Sequence, residues 1–387
     1  MSYTTMWSYT WDLIEDGTDE TIRRLRQDVG LEAISVATSY HTYEMLCCHR
    51  PGRKFLWAPE SAVYFRPQTA LYAETPIKPH LSPLARERDS LREVGDRCLA
   101  HGLKLVSWTV CLHNSHLATT YPDHAQSSAF GDVYLHALCP SSPAVRTYMI
   151  ALARDLTTNY PIAAVELESL NFQGYGQSHY HGKYGLRFGP IESFLLSLCF
   201  CRHCSARAQA RGIDASRLQE SARQTFNQFC ETDTPVNQSL DDYVRSQPEL
   251  DAYVQLRADT VSSFVRELKA AIATPVYYLF MGDYYIGGIR YGEIAGIADR
   301  VEILTYTASP DRVRDGIAST LAHGIRPDQI VAGFQAYYPA SPDQATLVHT
   351  TQAAFDQGVR GFSFYNYGIM PKKNLDWVNA AIEGIRA

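Results

Sequence analysis

Eight short apolar runs, each leading into a helical pattern, constrain this chain more than any other feature it has. The runs are Met6–Trp11, Ala33–Ala37, Leu103–Thr109, Ala163–Leu167, Val276–Phe280, Val301–Tyr306, Ile330–Phe334 and Gly361–Tyr365. Helical stretches separate them, among them about Glu20 to Val29, Pro143–Asn159, Tyr253–Ala273, Asp311–Ala322 and Asp343–Gln357. His101-Gly102 and His323-Gly324 are helix stops of the usual kind. Strict alternation predicts a parallel sheet with helical crossovers, and eight units predict its closure into a (β/α)8 TIM barrel of the α/β class. An open dinucleotide-binding sheet would carry a glycine-rich turn after its first strand. Asp12-Leu13-Ile14-Glu15 stands there instead. The expected organisation is one domain over residues 1–387. Residues 171–274 form a long, largely helical insertion between the fourth and fifth strands, which either covers the active site or builds a subunit contact.

Composition narrows the function. The net charge of −6 comes without a Lys/Arg cluster, so nucleic acid and anionic membranes are not expected partners. No apolar run approaches a membrane span and no secretory signal is read, so a cytoplasmic location is expected. Nine cysteines in a long chain of this kind suggest thiols or a metal rather than a disulfide framework. The 25 Tyr, 15 Phe and 5 Trp suit sugar rings, whose C–H faces stack on aromatics while their hydroxyls take hydrogen bonds.

Barrel enzymes place their chemistry at strand C-termini and in the loops that follow. That rule selects Asp12; Tyr40, His41 and Glu44; His113 and Asn114; Glu166 and Glu168; Asp283; Tyr306; Gln335 and Tyr337; and Tyr365 and Asn366. Glu166 and Glu168 lie two apart on one strand and therefore share a face. Two carboxylates on an inward face are costly without a task or a partner. Glycoside cleavage needs two carboxyl groups flanking the bond. Glu168 is the expected acid. Asp283, after the fifth strand, is the better placed partner, and Asp12 is the second choice. The loop after the fourth strand carries His179, His181 and Lys183; His181 and Lys183 are expected to contact substrate hydroxyls or charge.

Cys199-Phe200-Cys201-Arg202-His203-Cys204 puts three thiols within six residues, a hook for a tetrahedral metal, with zinc the expected ion. A fourth ligand must come from Cys139, Cys230 or His203. The segment from Cys139-Pro140-Ser141, through a helix and the strand bearing Glu166 and Glu168, to Cys-x-Cys-x-x-Cys resembles part of the family 42 glycoside hydrolases, the barrel β-galactosidases. The resemblance covers roughly Leu138 to Ala208. It implies a structural zinc held by Cys139, Cys199, Cys201 and Cys204, with Glu168 as acid/base. The chain departs from that family in two places. Leu167 stands where the family has Asn before the acid/base. The seventh strand ends in Phe334-Gln335-Ala336-Tyr337, without the family's nucleophilic Glu.

The leading expectation is a hydrolase acting on a small glycoside or oligosaccharide. A sugar or sugar-acid lyase or isomerase, with His41, His113, Glu166 and Glu168 handling protons or a metal, is the second. A carbohydrate-binding barrel without catalysis is the third. A homo-oligomer is expected by analogy.

Overall fold

A computed structural model describes residues 2–178 and 180–386. The barrel strands are β1 (Tyr3–Ser8), β2 (Ala33–Tyr40), β3 (Lys104–Val110), β4 (Ile162–Glu168), β5 (Val276–Leu279), β6 (Arg300–Leu304), β7 (Ile330–Gln335) and β8 (Gly361–Tyr365). They pair in parallel in chain order. β1 closes the ring, pairing with β8 through Tyr3–Met6 and with β2 through Trp7 and Ser8. The result is a closed (β/α)8 barrel. A two-residue strand, Ala62–Val63, adds antiparallel to the end of β2.

The reasons are local. β1 and β2 are buried along their whole length, as strands wrapped by helices must be. The helix Pro143–Asn159 starts where Pro143 sits in the first turn and Ser142 Oγ accepts from the Val145 amide. The helix Ser90–His101 ends at Gly102, whose φ of 67° is left-handed and suits glycine. One strand is shifted from its expected position. The first strand runs over Tyr3–Ser8, and Thr10–Glu15 is already helical. Pairing with β8 begins at Tyr3, so the aromatic run Tyr9-Thr10-Trp11 turns over the barrel mouth instead of extending the strand.

Strand alternation sends Tyr3, Ala33, Val106, Ala164 and Val331 into one apolar layer at the barrel floor. The next inward positions are unusually polar: Thr5, Ser35, Glu166, Glu302 and Ser363, all fully buried. Trp7 enters the same interior and packs over Gly333, where a Cβ would lie 2.8 Å from its ring. Above it, Trp7, Tyr9, Trp11, Tyr40 and Trp108 form an aromatic cluster toward the mouth.

Between β4 and β5 lie the helices Pro190–Ser197, Arg202–Ala210, Ala215–Thr232, Leu240–Arg245 and Pro248–Ala270. They bury an apolar cluster of their own that includes Ile191, Phe194, Leu198, Leu218 and Tyr253. Among the described residues, no helix is long and apolar enough to cross a membrane.

Candidate active site

Glu166 and Glu168 face the barrel interior one above the other. Glu166 is fully buried and accepts from Trp7 Nε1 at 2.5 Å and from Ser35 Oγ at 2.8 Å. Glu168, at the mouth, accepts from Trp108 Nε1 at 2.6 Å. Burial pushes the Glu168 carboxyl up to about 7, while the indole hydrogen bond pulls the other way by favouring the anion. Burial also raises Glu166, opposed by its two donors and assisted by the charge of Glu168.

A third interior carboxyl, Glu302 on β6, completes the set. Its carboxyl lies within hydrogen-bonding reach of the Glu166 carboxyl, and no N–H or hydroxyl group among the described residues donates to its oxygens. Burial first, then the charge of Glu166, raises it well above the usual carboxylate range. Glu302 is not at a strand end, so the strand-end rule passes over it. Alternation would have found it, because Glu302 and Glu166 are both inward positions.

Aromatic side chains wall the space above Glu168. Tyr9 Oη lies 3.1 Å from Tyr40 Oη and 3.3 Å from Tyr365 Oη. Tyr40 meets Trp108 edge to face at 4.9 Å. Tyr306 and Tyr337 come within 5.8 and 6.4 Å of the Tyr365 ring. Burial raises the phenols of Tyr9, Tyr40 and Tyr365, so they stay neutral and can both donate and accept. The expected residues Tyr306, Tyr337 and Tyr365 are thus brought together around Glu168. Trp7, Tyr9 and Trp108 join them, although the strand-end rule did not select them.

A cleft of about 690 Å³ opens beside this wall and is lined by His41, Tyr43, Glu44, His113 and His136 among others. His41 lies tilted against Tyr40 at 4.3 Å and stacks on His113 at 4.8 Å, linking the cleft to the aromatic wall.

The remaining expected residues have other surroundings. Asn114 caps the helix Ser115–Thr120, accepting from the Leu117 amide at 2.9 Å. Buried Asn366 accepts from the Gly368 amide through Oδ1. Gln335 is half-buried beside the Tyr338 carbonyl. Asp283 is exposed and closes a turn by accepting from the Ile286 amide at 2.7 Å. Asp12 is buried in the helix after β1, and burial raises its pKa well above the carboxylate range. His181 and Lys183 are exposed, and His179 lies outside the described residues.

The cysteine set closes on itself. Cys139 Sγ lies 3.5 Å from Cys204 Sγ, 3.5 Å from Cys201 Sγ and 4.0 Å from Cys199 Sγ. All four are buried, and no disulfide joins them. Tetrahedral zinc with bonds of about 2.3 Å requires sulfurs roughly 3.8 Å apart, and the set fits. The Ser127 amide donates to Cys199 Sγ at 3.4 Å, the kind of outer contact that steadies a thiolate ligand. Of the alternative fourth ligands, Cys230 is exposed and His203 stacks on His124 at 5.4 Å.

The fold and this mouth define a (β/α)8 barrel with a carboxyl centre. No protein-family model matches the chain, and no curated protein matches its sequence. Solved structures do resemble it. The PgaB (BpsB) glycoside hydrolase domain from Bordetella bronchiseptica superposes with a TM-score of 0.63 at 12% identity, covering 98% of this chain and 99% of that one. A β-galactosidase from the psychrophilic Marinomonas ef1 gives 0.59 at 12% identity, over 98% of this chain and 59% of that one. α-L-Fucosidase isoenzyme 2 from Paenibacillus thiaminolyticus gives 0.57 at 15% identity, over 99% of this chain and 49% of that one. The chain therefore spans about half the fucosidase and under two thirds of the β-galactosidase. The likeness extends across several kinds of barrel glycosidase and does not single out the β-galactosidases.

Proposed function

We propose that this protein is a glycoside hydrolase acting on a small glycoside or oligosaccharide, with Glu168 as the general acid. The observation that carries this reading is Glu168 itself: buried at the barrel mouth, raised to about 7, gripped by Trp108 and surrounded by tyrosines. A carboxyl with that value is largely protonated just below neutrality and can give its proton to a departing glycosidic oxygen. The aromatic wall supplies faces for a sugar and phenol groups for its hydroxyls. The barrels it resembles include a fucosidase and a β-galactosidase by name, which supports the same reading.

Asp283 is the proposed second carboxylate, as base or nucleophile. It is exposed on the loop after the neighbouring strand, whereas burial favours the protonated form of Asp12. Glu166, satisfied by Trp7 and Ser35, is proposed to support the acid from below. Cys139, Cys199, Cys201 and Cys204 are proposed to hold one structural zinc.

The test is turnover of a panel of aryl glycosides by wild type, Glu168→Gln and Asp283→Asn. Aglycone release by wild type should fall by about 10²–10⁴ in Glu168→Gln. Release that persists in that variant would overturn the assignment. One observation favours a second reading, a sugar lyase or isomerase: the cleft beside Tyr40 is lined by His41, His113 and His136, groups suited to moving protons near neutrality.

A further inference from the structure

A second set of metal-binding donors lies on the rim, apart from the cysteines. Glu60, His80 and His116 come from three separate segments, and one donor atom from each falls within 4.8 Å of the others. His80 Nε2 is 2.9 Å from Glu60 Oε2, and His116 Nδ1 is 3.7 Å from Glu60 Oε1. The two imidazoles stack with centroids 3.7 Å apart.

The backbone under each donor is tied down. The Val63 amide donates to the His80 carbonyl at 2.8 Å. Ser61, next to Glu60, accepts the Ser115 amide at 3.0 Å through Oγ, which joins the segment of Glu60 to that of His116. The imidazoles are mostly covered, with side-chain exposures of 19% and 25%, while Glu60 is 57% exposed. The site is therefore anchored on its histidine side and open on its carboxylate side.

We propose that Glu60, His80 and His116 bind one divalent transition-metal ion of the kind that favours imidazole and carboxylate ligands, such as Ni²⁺, Co²⁺ or Zn²⁺. Bonds of about 2.0–2.2 Å put neighbouring donors roughly 3–3.5 Å apart, so binding requires His116 to close on Glu60 and the two stacked rings to splay until both lone pairs aim at one ion. Three protein ligands leave positions open, the pattern of a site that can take water or a further ligand. Glu60 and His80 themselves line a smaller cavity of about 240 Å³, which shares Tyr43, Ala58 and Pro59 with the histidine-lined cleft.

The test is calorimetric titration with Ni²⁺ of the full chain as isolated without chelator, its bound zinc first counted by elemental analysis and no zinc added. A further single equivalent should bind. His80→Gln and His116→Gln should each weaken it by at least the roughly 10–100-fold seen when even an outer partner of a metal ligand is lost. Glu60→Gln, at an exposed position, should weaken it without lowering the melting temperature. No further equivalent, or one that all three variants bind as wild type does, overturns the proposal. This readout is independent of glycosidase activity, so the two proposals fail separately.

Discussion

Trp108 Nε1 donates a hydrogen bond of 2.6 Å to the Glu168 carboxylate, and among the described residues this is the side-chain donor that opposes the effect of burial on that group. Removing it should leave burial unopposed. In Trp108→Phe the basic limb of kcat/KM against pH should move to higher pH, and kcat/KM should fall because the carboxyl is no longer oriented. The measurement is a pH–rate profile of both proteins on the same glycoside. A limb that stays or moves to lower pH contradicts the role given to the indole.

Wild-type activity should itself depend on the protonated acid. With Glu168 near 7, kcat/KM should decline as pH rises above about 7. Glu168→Gln should show no such limb in any residual activity. A profile flat to pH 9 in wild type would separate Glu168 from proton donation.

Stability should follow the same carboxyls with the opposite sign from ordinary surface acids. A carboxyl raised by burial binds a proton more tightly folded than unfolded. Stability is therefore greatest below the unfolded value near 4.3 and falls as pH rises toward 7, by on the order of 3 kcal/mol for a shift of this size. Glu302, raised by burial and by the charge of Glu166, adds in the same direction. Urea unfolding at pH 5 and pH 8 should show the loss, and Glu302→Gln, a neutral isostere, should reduce it. Equal stability at the two pH values would be inconsistent with buried, raised carboxyls.

Gly333→Ala should destabilise the barrel by about 1–3 kcal/mol through overpacking. The added Cβ meets Trp7 at 2.8 Å and the Ile303 carbonyl at 3.3 Å. Trp7 cannot yield easily, because its indole also holds Glu166. Thermal melting of the variant against wild type measures this, and an unchanged midpoint would mean that the interior is looser than the contacts require.

Elemental analysis should find about one zinc per chain in protein isolated without chelator, carried by the cysteine set. Cys201→Ser should lose it and lower the melting temperature. Protein that lacks zinc and melts unchanged after chelation would remove the structural role.

Much of the barrel was readable because strands and helices leave periodic traces. Pro143–Asn159 and Gly361–Tyr365 lie where periodicity, capping and glycine positions predict them. The first strand was misplaced because Tyr9-Thr10-Trp11 has strand-like composition, yet its rings serve a cluster over the mouth. Glu166 and Glu168 were legible as a pair because alternation along one strand is a local property.

The sequence by itself determined the alternating plan, the inward face carrying two glutamates and the run of thiols at Cys199, Cys201 and Cys204. Tertiary structure alone decided that Trp7, Trp108 and Glu302 meet those glutamates, and that Asp12 is sealed while Asp283 is exposed. The physical reason is range. Periodicity and turn chemistry act over a few residues, whereas desolvation and hydrogen bonding depend on which strands the closed ring brings face to face, as with Trp7 and Glu166, 159 positions apart.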